Sequence, residues 1–184
     1  ALGGGSALTP WSGADFSATQ AAQGVIVTAN SNESVFTLSI AGAGGLFAGI
    51  AGAVSVQLLD ITTTAAIGDA TINGINTGAN SAQDVVVVAR DSTSVAAIDG
   101  GLAIGAVGLA GAVDVGVLRN TTAASIANGA TVNGKDRVEV AGLQQTDVDS
   151  TVVSAAGGIV GIAAGVSVYS IGDGIDPNSK GNAE

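Results

Sequence analysis

Val54-Ser55-Val56, Val113-Asp114-Val115 and Val166-Ser167-Val168 write one short pattern three times, at steps of 59 and 53 residues. Each follows an apolar ramp of small residues: Gly44 to Ala53, Gly100 to Ala112, then Gly157 to Gly165. The match extends outward. Val25-Ile26-Val27-Thr28-Ala29 corresponds to Val85-Val86-Val87-Val88-Ala89 and to Val138-Glu139-Val140-Ala141, and Ala70-Thr71-Ile72-Asn73-Gly74 corresponds to Ala130-Thr131-Val132-Asn133-Gly134. Self-similarity at a long period marks a stacked architecture, in which one unit cannot bury its apolar face alone and its neighbours bury it instead. The expected organisation is residues 1–23 as a cap or the end of a preceding repeat, 24–82 as repeat 1, 83–135 as repeat 2, 136–172 as a truncated repeat 3, and 173–184 as a polar tail or linker.

Most segments read as strands. Val85–Ala89, Val138–Ala141 and Ser150–Ser154 are short, β-branched and bounded by Asp, Asn, Gly or Ser, which favours strand over helix. Asn73-Gly74 and Asn133-Gly134 are strong turn signals. They lack alternating apolar flanks of equal length, so parallel stacking of successive repeats is preferred to hairpins. The fold class expected is all-β, with about three imperfect repeats of 53–60 residues. The extra residues of the longer step fall near Ile75–Ala82, expected to be a loop. Each repeat is either one wide coil or two to three ordinary ones.

Composition narrows the core. Of 184 residues, 47 % are hydrophobic but only 3 % aromatic and 11 % charged, about half the usual charged share. Glycine supplies 29 residues and proline two, so the apolar content rests on Ala, Val, Ile and Leu. A core of such small side chains is thin, with sheets closer than the roughly 10 Å of ordinary face-to-face packing. The formal charge of −10 opposes nucleic acid and anionic membrane surfaces. Cys, Met and His are absent, which removes disulfides, thiolate chemistry and the commonest general base and metal ligand. The N-terminus lacks a basic start and a continuous apolar stretch, so no signal peptide is expected and the chain reads as an excised or mature segment.

The ramps admit three readings. Ser34–Leu59 and Ser150–Gly172 are long and poor enough in charge to pass a crude transmembrane filter, and Gly45, Gly49 and Ala53 fall at the spacing of helix-packing motifs in lipid. No Lys/Arg cluster or aromatic belt flanks them, and glycine costs about 1 kcal/mol in a helix interior. A strand apolar on both faces is preferred. The stacked ramps then form a sheet needing cover on both faces, from the rest of the coil or from a neighbouring chain. Gly45, Gly49, Gly105, Gly108, Gly161 and Gly165 are the expected interaction surface, because glycine lets sheets approach closely.

Candidate chemistry is sparse. Asp173, Asp176 and Asn178 bring three oxygen donors close together, as calcium requires. The segment lacks EF-hand spacing and is not a tandem calcium nonapeptide; Asp, Asn, Gly and Pro also make any exposed turn. Calcium is therefore the one cofactor raised, against a preferred solvated turn. Asp147 with Asp149, and Asp84 with Asp136, are carboxylate pairs by residue type only; geometry, not type, defines a hydrolytic pair. Thr62–Thr64 and Thr121–Thr122 form either an outward ladder that orders water or, as preferred, an ordinary soluble strand face. Five scattered aromatics argue against a sugar-cleaving groove.

With the repeat laid out, the chain resembles the long repeat regions of giant bacterial surface adhesins, leukotoxin-like and filamentous-haemagglutinin-like, of the autotransporter and two-partner secretion type. Gly52-Ala53-Val54-Ser55-Val56, Thr62 to Asp69, Asp84 to Ala89 and Ala130-Thr131-Val132-Asn133-Gly134 carry the resemblance, over residues 24–172. It implies a right-handed parallel β-solenoid (β-helix), extracellular or on the bacterial surface, serving as a stalk or adhesive surface. The expected role is non-enzymatic, with self-association, neighbouring repeats of a longer chain or a host or cell-surface ligand as partners, no nucleic acid and no membrane contact. The alternative from another class is a glycine-rich membrane-inserting or pore-related segment.

Overall fold

The computed structural model of the chain describes residues 6–8, 19–21 and 23–172, and strand is the only regular structure among them. The strands are β1 (Ser6–Leu8), β2 (Thr19–Ala21), β3 (Gln23–Gly44), β4 (Ala48–Ile67), β5 (Thr71–Ile72), β6 (Gln83–Ile104), β7 (Val107–Ile126), β8 (Thr131–Val132), β9 (Arg137–Gly157) and β10 (Val160–Ile171). One three-stranded sheet has the order β3-β6-β9 and the other β10-β7-β4. Each repeat therefore gives one strand to each sheet, and successive repeats supply adjacent strands. β10 pairs with β7 in parallel over twelve residues, with Val166 opposite Val113 and Ser167 opposite Asp114. The Val-x-Val repeat is the pairing register. The ramps are strands, and no helix among the described residues is long and apolar enough to cross a membrane.

The strands are far longer than the short segments expected from their β-branched cores, at 20 to 22 residues for β3, β4, β6, β7 and β9. The reason is the stack. When every residue hydrogen-bonds to its equivalent one repeat away, neither glycine nor a polar residue interrupts the ladder, and a strand runs as far as the matched sequence does.

Irregular spacing is absorbed in the turns. Gly45 donates its amide to Ile104 and Gly105 donates to Gly157, which sets a step of 60 and then 53 before the first turn. Beyond it, Val107 donates to Phe47, a step of 59. The difference is one residue, because the first turn is Gly45-Leu46-Phe47 and the second only Gly105-Ala106. The register returns to 60 at Thr71 opposite Thr131, where Gly129, with φ of 99°, takes up the added residue. The drop to 53 lies in residues 73–82, which carry no strand, as expected for Ile75–Ala82.

Two compact units share these strands. The first comprises, among the described residues, 6–8, 19–21, 23–32, 62–92 and 121–145. Its core is Val85, Val87 and Ala89 against Ala65 and Ile67, and on the other face of β6 Val86 and Val88 pack with Leu143. All five residues of Val85–Ala89 are buried, so this apolar run, not the ramp, is the segment covered on both sides. Its Asn-Gly turns stack: Asn73 Nδ2 donates to the Asn133 carbonyl at 2.8 Å and Asn133 Nδ2 donates back to Asn73 at 3.1 Å. Asn73 holds φ of 53°, a left-handed conformation that Asn tolerates better than most side chains. Arg137 Nε lies 3.5 Å from Asp84 and 3.7 Å from Glu139, which makes buried Asp84 an ion-pair partner.

The second unit comprises, among the described residues, 33–61, 93–120 and 146–172. Its core is alanine: Ala51 and Ala110 of one sheet meet Ala103, with Ala41, Ala43 and Ala156 packed alongside, from the other. The backbones themselves come close. A Cβ built on Gly108 would stand 2.8 Å from the Gly157 carbonyl oxygen, and one on Gly101 2.6 Å from that of Gly111. Glycine is required there because the space belongs to the facing main chain. Overpacking of this kind typically costs about 1–3 kcal/mol, so Gly108→Ala should lower stability by about that amount in denaturant titration, while Gly52→Ala, which meets nothing within 4 Å, should be near neutral. Spin labels at positions 113 and 166 should show the strong dipolar broadening of a separation near 4.8 Å; weakly coupled spectra would contradict successive repeats as adjacent strands.

Candidate functional site

The middle residues of the three Val-x-Val copies point inward in the second unit and form a polar ladder, buried at Ser55 and Asp114 and exposed at the edge residue Ser167. Alternation dictates this: with Val54, Val113 and Val166 on the outer face, Ser55, Asp114 and Ser167 must face the opposite sheet. Ser55 and Asp114 are buried, as is Asp99 of β6, which faces them. Asp114 collects hydroxyl groups from three other strands. Ser55 Oγ of β4 lies 2.7 Å from its Oδ1, while Ser150 Oγ of β9 donates to Oδ2 at 2.5 Å and Tyr169 of β10 donates to the same oxygen at 2.8 Å. Ser55 Oγ is also 2.8 Å from Asp99 Oδ2, so one hydroxyl bridges two carboxyl groups. Ser167 Oγ, 2.7 Å from Ser150 Oγ, extends the relay to the sheet edge.

Local sequence makes room for this. Tyr169 pairs with Gly116, and its ring lies where a side chain on residue 116 would stand. That placement carries the phenol to Asp114, with the phenol oxygen also 3.2 Å from Gln57 Oε1. Burial raises the Asp114 carboxyl, but the hydrogen bonds from Ser150, Ser55, Tyr169 and Gln57 outweigh it, and the net effect holds it below the ordinary carboxylate value. Burial and the neighbouring Asp114 carboxylate push the Tyr169 phenol well up. The chemistry these bonds perform is cohesion: one carboxylate ties β4, β7, β9 and β10 into register.

The outer faces are the second feature. Ile50, Leu109 and Ile162 form one row across β4, β7 and β10, and Val54, Val113 and Val166 another beyond the small residues Gly52, Gly111 and Ala164, with every one of the six large side chains exposed. In β4 and β7 the expected double-faced ramp thus has one face covered by the opposing sheet and one face open, whereas on the edge strand β10 residues of both faces are exposed. On the outer side of the other sheet, Gly100 leaves a shallow apolar hollow of about 240 Å³ between Ile40, Ile98, Leu102, Val153 and Ala155.

The glycines expected to form the interaction surface have distinct places. Gly49 and Gly108 are buried between the sheets; a Cβ on Gly49 would stand 2.6 Å from the Ile104 carbonyl oxygen. Gly45 and Gly105 sit together at the stacked turns. Gly161 and Gly165 face Ala156 and Val152 across the sheet gap. They bring the sheets together, and the alternating Val, Ile and Leu residues form the open face. Asp173, Asp176 and Asn178 lie outside the described residues; among those described, no group of three or more acidic side chains is arranged to hold a metal. Asp147 and Asp149 are exposed on β9, and Thr62 and Thr64 face solvent while Thr63 is buried. Asp99, Asp114, Ser55 and Tyr169 were not singled out from sequence. The available signal was the charged centre of Val-Asp-Val at an inward position. No protein family, curated protein or solved structure matches the chain.

Tyr169→Phe keeps the ring and removes one donor to a buried carboxylate, and should cost about 1–2 kcal/mol. The pH dependence has two signs. Asp114, lowered in the fold, contributes stability present above its ordinary value of 3.8 and lost as pH falls further. Tyr169, raised in the fold, contributes stability present below 10.0 and lost as pH rises beyond it. Thermal midpoints measured at pH 2–4 and pH 9–11 should fall at both ends for the wild type, and Tyr169→Phe should abolish the tyrosine-linked part of the alkaline fall.

Proposed function

We propose that the chain is a non-enzymatic structural segment: a length of right-handed parallel β-solenoid on the bacterial cell surface, supplying a rigid stalk with an apolar face for attachment. The observation that carries this is the unbroken pairing of residues one repeat apart, Val160–Ile171 against Val107–Leu118. Architecture of that kind adds length by adding repeats, and its stability is close to a sum over repeats and their contacts. Two further observations support it. The strongly hydrogen-bonded groups of the second unit are consumed in holding strands together, and its outer rows of Val, Ile and Leu are open to solvent, as contiguous interaction surfaces are. The resemblance to adhesin repeat regions points the same way.

The reading is tested by lengthening the stack. A second copy of residues 83–135, with its equivalents of Asp99 and Asp114 changed to Ser so that no carboxylates stack, should fold as one cooperative β protein. Its thermal midpoint should rise, and its denaturant slope should grow by roughly a third with the added buried surface. A lower midpoint, or loss of β signal, would count against a modular stalk.

A further inference from the structure

Among the described residues, both sheets of the second unit end in unpaired strands. β4 and β10 are the edges of one, β3 and β9 of the other. The backbone bonds fix what each edge offers. Val107 donates to Phe47, whereas Val160 and Gly172 donate to Ala106 and Leu118. In a parallel ladder the groups of alternate residues point to the same neighbour, so β7 uses odd-numbered residues towards β4 and even-numbered residues towards β10. The free groups of β4 then belong to its even-numbered, outward residues such as Val54. Those of β10 belong to its odd-numbered, inward residues such as Ala163. At both internal junctions, outward residues of one strand bond to inward residues of the next. The two free edges present the two halves of that same junction.

The side chains agree. Aligned on the turns, the β4 and β10 edges set Val54 beside Val166, Ser55 beside Ser167 and Ile50 beside Ile162. No carboxylate opposes another, because Asp99 and Asp114 lie on the middle strands β6 and β7. Exposure shows what an edge lacks: Val113, flanked on both sides, is 38 % exposed, against 68 % for Val54 and 51 % for Val166. Unpaired edges of this length are templates for another strand. We propose that a second copy of this chain docks head to tail, the β4 edge of one molecule receiving the β10 edge of the next, in the register already used between repeats. The inference rests on the structural-segment reading and gives that segment its partner.

Head-to-tail growth separates from other association by mixing. Val54→Pro removes a donor only from the free side of β4, and Ala163→Pro does so only on β10. In sedimentation velocity the wild type should form species that lengthen with concentration. Each proline variant alone should stay monomeric over the same range, and the two mixed should stop at a dimer. The chain has no cysteine, so single Val54→Cys and Val166→Cys variants provide a readout independent of proline. A short bis-maleimide should link the two when mixed and link neither alone. A wild type that stays monomeric, a proline variant that still self-associates, or cross-linking within one cysteine variant as efficient as in the mixture would overturn the proposal. A monomeric wild type beside a stabilised lengthened stack would overturn the docking alone; a destabilised lengthened stack would overturn the structural reading itself.

Discussion

Pairing between residues one repeat apart is the constraint on which the other features depend. Once Val166 sits opposite Val113, the parity of every side chain on three strands is set, because a one-residue slip would exchange the inner and outer faces. The copies need not be identical for this. They need matching parity and turns able to absorb the differences, and the turns at 45–47, 73–82 and 127–130 do so while the ladders stay continuous.

The second unit combines two unusual choices that depend on each other. Its sheets approach so closely that glycine and alanine fill most of the gap, which limits the apolar area any residue can bury. Its polar ladder offsets part of that loss, since hydrogen bonds to a charged group contribute more than neutral ones, about 1.5–3 kcal/mol. Such a bond is worth having only if the carboxylate is fully supplied with donors, and Asp114 takes three hydroxyls from three strands. Removing a donor therefore does more harm than removing a methyl group.

Much of the fold was legible because repetition survives in sequence. Val-x-Val, the Asn-Gly turns and the loop at 75–82 gave the strand register before any coordinates. Strand length was not legible: the β-branched runs mark only short strands, whereas a stacked neighbour carries the ladder on through Gly52 and Gly100. The ladder was half visible. Asp114 stands out inside an apolar strand, but its link to Ser150 joins different sheets and leaves no spacing to detect, and its link to Tyr169 depends on the room that Gly116 leaves for the ring. The glycines were recognised as sites of close approach, yet which main chain they approach depends on the fold-back at Gly45 and Gly105.

The uniform step between partners also governs how the chain reaches this structure. Each ladder joins residues 53 to 60 apart, and closing a loop of that size costs about 3.5 kcal/mol in chain entropy beyond a constant. The seven-residue difference between the steps changes that cost by only about 0.1 kcal/mol, so loop length alone gives neither pairing a head start. No pair of neighbouring repeats forms locally and cheaply. The first two repeats to meet must carry the whole closure cost before the alanine core rewards it, and the third adds to an existing template. Folding is therefore slow to begin and quick to finish, and the newly made first pair exposes two bare edges while it waits for the next strand.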